Sequence, residues 1–102
     1  MSLREKLRQR IKERREQLAS KPQRRLAYEL VTECRDCAFA WQCRLKMGAR
    51  LRDLEENGST RFDPYTIILI IQLAIAVWRF VKEMGWLSEA TTEAIVAEVE
   101  RD

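Results

Sequence analysis

Hydrophobic residues along this chain recur at the spacing of helices, and the alternating apolar and polar positions of strands are not evident. The segment after Ser2 has a narrow apolar stripe between arginines and lysines, formed by Leu3, Leu7, Ile11 and Leu18. The segment after Ser20 has a wider stripe, formed by Leu26, Ala27, Leu30, Val31 and Cys34. Both serines are followed three residues later by glutamate or glutamine, the spacing of a capping box. The pattern therefore predicts an amphipathic helix in each segment.

Polar caps, proline and glycine mark the ends of the remaining helices. A third helical run, RLKMGARLRDLEENG, ends at Asn57–Gly58, which predicts a left-handed C-terminal stop. Asp63 followed by Pro64 predicts the start of a fourth helix, and Gly85 predicts its end. Ser88 is the predicted cap of a last helix. We expect an all-α fold of four to five helices, arranged as a small bundle or as extended helical hairpins.

The chain has 102 residues, of which 46% are hydrophobic and 34% charged, so it holds enough apolar material for the core of one domain. We divide it into a basic N-terminal helix (1–20) and a cysteine-bearing helical hairpin (21–57). A linker (58–63) then leads to an apolar helix and an amphipathic C-terminal helix (64–102).

The segment from Ile67 to Trp78 is apolar at every position except Gln72, so a helix there is apolar on nearly all sides. Its twelve residues would span about 18 Å, well short of a hydrocarbon core of about 30 Å. A single membrane span from Pro64 to Val81 is an alternative. Because the neighbouring helices offer narrow stripes, we instead expect other chains to cover it, either copies of this chain or a larger assembly. The predicted assembly interface consists of Ile67, Ile68, Ile70, Ile71, Ala74, Ile75 and Trp78.

Charge is distributed unevenly along the chain, whose net charge is +3. Residues 1–25 carry ten arginines and lysines against three glutamates, whereas residues 58–102 carry seven acidic and four basic residues. This asymmetry predicts head-to-tail contacts between copies, docking on an acidic surface, or binding to a polyanion such as nucleic acid. The predicted contact residues are Arg4, Arg8, Arg10, Lys12, Arg14, Arg15, Arg24 and Arg25.

All three cysteines lie within ten residues, in the segment CRDCAFAWQC from Cys34 to Cys43. On one continuous helix Cys34 and Cys37 would share a face, while Cys43 would lie about 900° of turn from Cys34, on the opposite side. The three sulfurs can meet only if the helix breaks within AFAWQ and folds back, so that Cys43 opens the next helix.

The Cys-x₂-Cys-x₅-Cys spacing resembles the three-cysteine portion of iron–sulfur modules: the WhiB-like regulators, the RecB-type iron–sulfur nucleases and the auxiliary-cluster domains of radical enzymes. The resemblance implies that the three cysteines hold a [4Fe–4S] cluster and that Phe39 and Trp41 screen it from water. A fourth ligand would come from a partner chain, from solvent or a small molecule, or from a side chain such as Asp36.

Other states of the cysteines remain open. Zinc is the second candidate cofactor, although structural zinc sites have four protein ligands and this chain has no histidine. Without a metal, the cysteines would be reduced thiols packed as small hydrophobic side chains, or one disulfide with a free thiol. The odd cysteine count and the lack of a visible secretory signal favour a reducing setting.

The sequence contains no histidine for acid–base chemistry and no glycine-rich phosphate loop, so we do not expect an enzyme. The leading hypothesis is a small structural or interaction protein that docks into a larger assembly. The stretch FDPYTIILIIQLAIAVWRFVKEMGWLS resembles small uncharacterised proteins of tailed phages, which implies a virion or tail component. A redox-sensitive nucleic-acid-binding regulator and a single-span membrane protein are the alternatives. We expect a cytoplasmic or virion location rather than secretion.

Overall fold

A computed structural model describes residues 1–58 and 60–101 of the chain. They form five α-helices: α1 (Leu3–Gln17), α2 (Lys21–Thr32), α3 (Ala40–Asn57), α4 (Pro64–Met84) and α5 (Thr92–Val99), with a 3₁₀ turn at Leu87–Glu89. The described residues contain no strand, and the predicted all-α fold is confirmed. Ser59 of the predicted 58–63 linker and Asp102 at the end of the chain lie outside the described residues.

Side-chain caps begin three of the helices as their residue types predict. The hydroxyl oxygens of Ser2 and Ser20 accept hydrogen bonds from backbone N–H groups three residues later, at 3.2 and 3.4 Å. The carboxylate of Asp63 accepts the N–H of Thr66 at 2.9 Å. Gly85 ends α4 in the left-handed conformation, with φ of 84°. These local contacts stabilise helix ends whose N–H or C=O groups have no partner within the helix.

Two details of the predicted helix ends are wrong. Helix α3 ends at Asn57 as predicted, but Gly58 is extended rather than left-handed, with φ of −122° and ψ of 179°. Glycine is needed there for a different reason, because a Cβ atom would lie 2.7 Å from the carbonyl oxygen of Leu54. The last helix starts after Thr91 instead of Ser88, and the hydroxyl of Thr91 accepts the N–H of Ala94 at 3.1 Å. Ser88 instead lies in the 3₁₀ turn.

The apolar helix α4 is the centre of the fold. Helices α1, α2 and α3 all pack against it, and α5 packs against α1 and α2. Its buried residues are Leu69, Ile70, Leu73, Ala74, Ile75, Ala76, Val77, Trp78, Phe80 and Val81. Gln72, the polar residue of this stretch, accepts a hydrogen bond of 3.2 Å from the guanidinium of Arg14 on α1. The narrow apolar stripes of several helices therefore pack on α4 from different sides. Together they cover it, which no single neighbouring helix could do.

This cover changes the interpretation of the predicted assembly interface. Its residues Ile70, Ala74, Ile75 and Trp78 are buried by the chain's own helices, so the expectation that other chains must cover them is wrong. Ile67 and Ile71 are half-buried and Ile68 is 50% exposed. Contact of these three with another chain stays a prediction.

Among the described residues, α4 is the one helix with the length and hydropathy of a membrane span. Of its most apolar 18-residue window, 56% is buried inside the bundle. The central helix of a water-soluble protein meets the same criteria of length and composition, so this property alone does not favour a membrane protein.

Candidate metal centre

The three cysteines meet where α2 ends and α3 begins. Helix α2 stops at Thr32, Cys34 and Cys37 lie in the following turn, and Cys43 lies at the first turn of α3. Their Sγ atoms all lie within 4.8 Å of one another. Of the two geometries that the sequence allowed, the structure has the broken helix, and Cys43 opens the next helix as that geometry requires. The three side chains are compatible with a metal-binding motif.

The break is stabilised by the backbone and by a glutamine. Phe39 is extended, with φ of −129° and ψ of 150°, and occupies the N-cap position of α3. The side-chain oxygen of Gln42 accepts the N–H groups of Ala38 and Phe39, at 2.8 and 3.2 Å. Gln42 thus provides acceptors for N–H groups that the interrupted helix leaves without carbonyl partners.

Three long-range hydrogen bonds hold the cysteine turn on the bundle. The indole N–H of Trp78 donates to the backbone carbonyl of Cys34 at 2.9 Å, in a buried position. The ammonium of Lys82, also on α4, donates to the carbonyl of Ala38 at 2.7 Å. The guanidinium of Arg35 donates to the carbonyl of Ala90 at 3.0 Å. The turn is therefore fixed at both of its ends and does not depend on the cysteines alone.

The cysteines differ in burial. Cys34 and Cys43 are 1% and 0% exposed, while Cys37 is half-buried. Burial, with a smaller contribution from negative charge on Cys37, raises the pKa of the Cys34 thiol to about 12. Burial and the neighbouring cysteines likewise raise the pKa of Cys43 above its usual range. All three are free, and none forms a disulfide. Deprotonation of two buried thiols this close together therefore needs a cation that compensates their charge.

Asp36, one of the possible sources of a fourth ligand, is not part of the cluster. The carboxylate of Asp36 lies 3.1 Å from the ammonium of Lys46 and forms an ion pair with it. Lys46 holds the pKa of this exposed carboxyl below its usual range through that hydrogen bond. Beside Cys37 the surface has a shallow groove lined by Asp36, Cys37, Trp41, Gln42, Leu45 and Lys46. The chain thus brings three sulfur ligands together and leaves one side of the cluster facing this groove.

The expectation that Phe39 and Trp41 screen the cluster from water is wrong. Both side chains are 59% exposed, and their rings stack on each other with centroids 6.5 Å apart and planes 8° from parallel. Trp41 lines the groove beside Cys37 without covering it. Cys34 lines a second surface groove beside the buried Leu30 and Met47, and the rim of this groove carries the exposed Glu33, Lys46, Arg50 and Asp53.

Half of the predicted polyanion-contact residues pair with acidic residues near the C-terminus. Arg8 pairs with Glu98, Arg25 lies 2.9 Å from Glu93, and Arg15 and Arg24 share Glu100 at 2.5 and 2.8 Å. Arg14 binds Gln72 instead. Arg4, Arg10 and Lys12 are exposed and form no ion pair within residues 1–58 and 60–101. The basic front and the acidic rear of the sequence therefore meet within one chain.

Sequence reasoning missed the roles of Gln42 and Trp78 at this site. The signal for Gln42 was present, because Phe39 and Gln42 have the spacing of an N-cap and an N3 residue. Trp78 belongs to an apolar stretch and was predicted to contact another chain. No sequence pattern relates it to Cys34, which lies 44 positions away.

Comparison with known protein families, with curated proteins and with solved structures gave no match. The resemblance to iron–sulfur modules therefore depends on the cysteine spacing alone.

Proposed function

We propose that this chain is a small helical interaction protein whose fold is stapled by one Zn²⁺ ion held by Cys34, Cys37 and Cys43. The observation that carries the proposal is the convergence of three Sγ atoms to within 4.8 Å of one another, with two of the side chains buried. Thiolate sulfur is a preferred ligand of zinc, and three cysteines supply most of a tetrahedral site.

The sulfur separations favour a single ion over a [4Fe–4S] cluster. With Zn–S bonds of about 2.3 Å, two ligands of one tetrahedral ion lie about 3.8 Å apart. This separation falls within the 4.8 Å that encloses the three sulfurs. In a cubane cluster each cysteine binds a different iron. The cysteine sulfurs are therefore separated by the iron–iron distance as well as by two Fe–S bonds that point outward, and lie farther apart than around a single ion. The present turn would have to open to accept that larger group.

A bound ion would tie α3 to the rest of the fold. The buried residues of α3 are a single line, Cys43, Met47 and Leu51, through which it packs on α4. An ion at Cys43 would add a direct link from α3 to the turn after α2. Because the closed site exists only in the folded chain, the free energy of metal binding would add to the stability of the fold.

Metal content measured on protein purified without oxygen tests the proposal. We expect about one zinc per chain and no visible absorption band of an iron–sulfur cluster. Cys37→Ser should lose the ion, whereas the matched control Asp36→Asn should keep it, because Asp36 pairs with Lys46 rather than joining the cluster. Metal-free protein under these conditions, or equal zinc retention by Cys37→Ser, would overturn the proposal. A coloured protein that contains iron would show that the site holds an iron–sulfur cluster instead of zinc.

The interaction role is supported by apolar side chains that the fold leaves uncovered near this centre. Phe39, Trp41 and Leu45 are 59%, 59% and 68% exposed. Three large apolar side chains on one short stretch, beside a half-buried cysteine, are typical of surfaces that bind another protein. Docking into a virion or tail is one form of this role, and its only support is the resemblance of the C-terminal half to small phage proteins.

A further inference from the structure

We propose that the groove beside Cys37 binds a protein segment that places a histidine side chain on the metal and an apolar side chain against Trp41. This inference rests on the proposed zinc centre. It assigns the fourth coordination position to a partner of defined chemistry, so that metal binding and partner binding share one surface.

The cysteine cluster is most open to solvent on the Cys37 side. Cys34 and Cys43 face the interior and are almost fully buried, whereas Cys37 is half-buried and lines the surface groove. An ion held by the three sulfurs is therefore reached from solvent through the groove at Cys37. A second surface groove, beside Leu30 and Met47, reaches Cys34, which is 1% exposed. The more open approach for a fourth ligand is therefore on the Cys37 side, across the surface formed by Trp41 and Leu45.

The surface beside Cys37 includes large apolar side chains from one face of α3. Trp41 and Leu45 are four residues apart on α3, so their side chains lie on the same face of the helix. Phe39 stacks on Trp41 and extends the apolar area beyond the groove. The stacked pair restricts the motion of both rings, which lowers the entropy lost when a partner binds. Exposed aromatic residues of this kind are frequent energetic centres of protein interfaces.

A second copy of this chain cannot complete the site with a histidine or a spare cysteine, because the chain has no histidine and its three cysteines are all in the cluster. Structural zinc sites with three thiolates are completed by nitrogen or sulfur. Three thiolates and one Zn²⁺ carry a net charge of −1, and a fourth thiolate would add a second negative charge.

Lys46 is positioned to balance one negative charge, and only in part. Its ammonium lines the groove and its positive charge acts on Cys34 and Cys37, but it also pairs with Asp36 at 3.1 Å. A neutral imidazole adds no charge. A histidine of another protein is therefore the ligand that the charge balance favours.

The experiment uses the full chain loaded with Co²⁺, whose visible spectrum reports the ligands of the ion. Two capped peptides serve as probes, Gly-Leu-His-Leu-Gly and Gly-Leu-Ala-Leu-Gly. We expect the histidine peptide to change the cobalt spectrum and to bind at least about tenfold more tightly than the alanine peptide, the loss expected when a metal ligand is missing. Trp41→Ala should keep the metal and weaken binding of the histidine peptide about tenfold. Tyr65→Ala is the matched control, because Tyr65 is an equally exposed aromatic residue (67%) outside the groove.

The outcomes separate this inference from the proposed function. A chain that takes up no metal overturns both. A chain that binds the ion but gives the same spectrum with either peptide overturns the inference alone, as does equal binding of the histidine peptide to wild type and Trp41→Ala. Selective binding that is lost in Trp41→Ala and kept in Tyr65→Ala supports it.

Discussion

The indole N–H of Trp78 donates a buried hydrogen bond of 2.9 Å to the backbone carbonyl of Cys34. It links the middle of the central helix to the first cysteine of the candidate metal centre. The same ring also lies 4.8 Å below the ammonium of Lys82, which binds the carbonyl of Ala38 at the other end of the turn. One side chain of α4 thus supports the cysteine turn at both ends.

Replacing Trp78 with phenylalanine should therefore affect both stability and metal binding. The substitution keeps an aromatic ring but leaves the buried carbonyl of Cys34 without its donor, which should cost about 1–3 kcal/mol in the free energy of unfolding. Urea denaturation of the metal-free protein measures this loss. Metal affinity should fall by about tenfold, because a group that orients a ligand is removed.

Trp86→Phe is the control for the loss of indole area, since Trp86 is half-buried and its indole makes no hydrogen bond within the described part of the chain. An equal loss of stability in the two variants, or unchanged metal affinity in Trp78→Phe, would contradict the assigned role.

Glu100 should make stability dependent on pH. Burial opposes its ionisation, but the hydrogen bond from Arg24 and the positive charges of Arg15 and Arg24 outweigh burial, and the pKa of Glu100 is lowered. A lowered folded-state pKa means that the stabilisation is present above the unfolded pKa of about 4.3 and is lost as the pH falls through the folded value. Glu100→Gln should cost about 1–2 kcal/mol at neutral pH, between the values for exposed and buried ion pairs.

The test is urea denaturation of both proteins from pH 7 down to about pH 3, a range that brackets the unfolded pKa. The difference between wild type and Glu100→Gln should shrink at the acidic end. The exposed Glu56 is a control position, and Glu56→Gln should have little effect at any pH. A difference that stays constant with pH would show that the ion pairs with Arg15 and Arg24 do not stabilise the fold.

The three glycines should respond differently to alanine. Gly85 has φ of 84°, so Gly85→Ala should cost about 1–2 kcal/mol in the free energy of unfolding. Gly58→Ala should also destabilise, because the new Cβ would lie 2.7 Å from the carbonyl oxygen of Leu54. Gly48 lies within α3 with nothing within 4 Å of a new Cβ, so Gly48→Ala should stabilise by about 0.5–1 kcal/mol. Thermal denaturation ranks the variants, and destabilisation by Gly48→Ala would contradict the described environment of α3.

The acidic C-terminal helix should compete with polyanions for the basic face. Glu98 and Glu100 occupy Arg8, Arg15 and Arg24 within the chain, so wild type should bind a short DNA duplex weakly. The double variant Glu98→Gln/Glu100→Gln should bind it more tightly. The slope of the logarithm of the binding constant against the logarithm of the salt concentration should also become steeper by about 0.9 for each cation that now contacts phosphate. Circular dichroism checks that the variant is folded, and Glu55→Gln/Glu56→Gln on α3 is the control for net charge. Equal DNA affinity in the two double variants would contradict competition by α5.

The parts of the fold that were predictable from the sequence are those decided by contacts within a few residues. Ser2, Ser20 and Asp63 cap helices because their side chains reach N–H groups three positions away, and this chemistry can be recognised in any sequence. The cysteine spacing could indicate only two alternatives, since the choice between a straight and a broken helix depends on Gln42 and on Trp78 from a distant helix. How α4 is covered was misjudged because it depends on how several narrow stripes converge in three dimensions.

The hydrogen bond between Arg14 and Gln72 has a consequence for how α1 and α4 align. Apolar stripes alone tolerate sliding, because one methyl-bearing side chain can replace another along the contact. A slip of α1 by one helical turn, about 5.4 Å, would separate the guanidinium from the amide and break this partly buried hydrogen bond. The pair therefore helps to fix the lengthwise position of the N-terminal helix on α4.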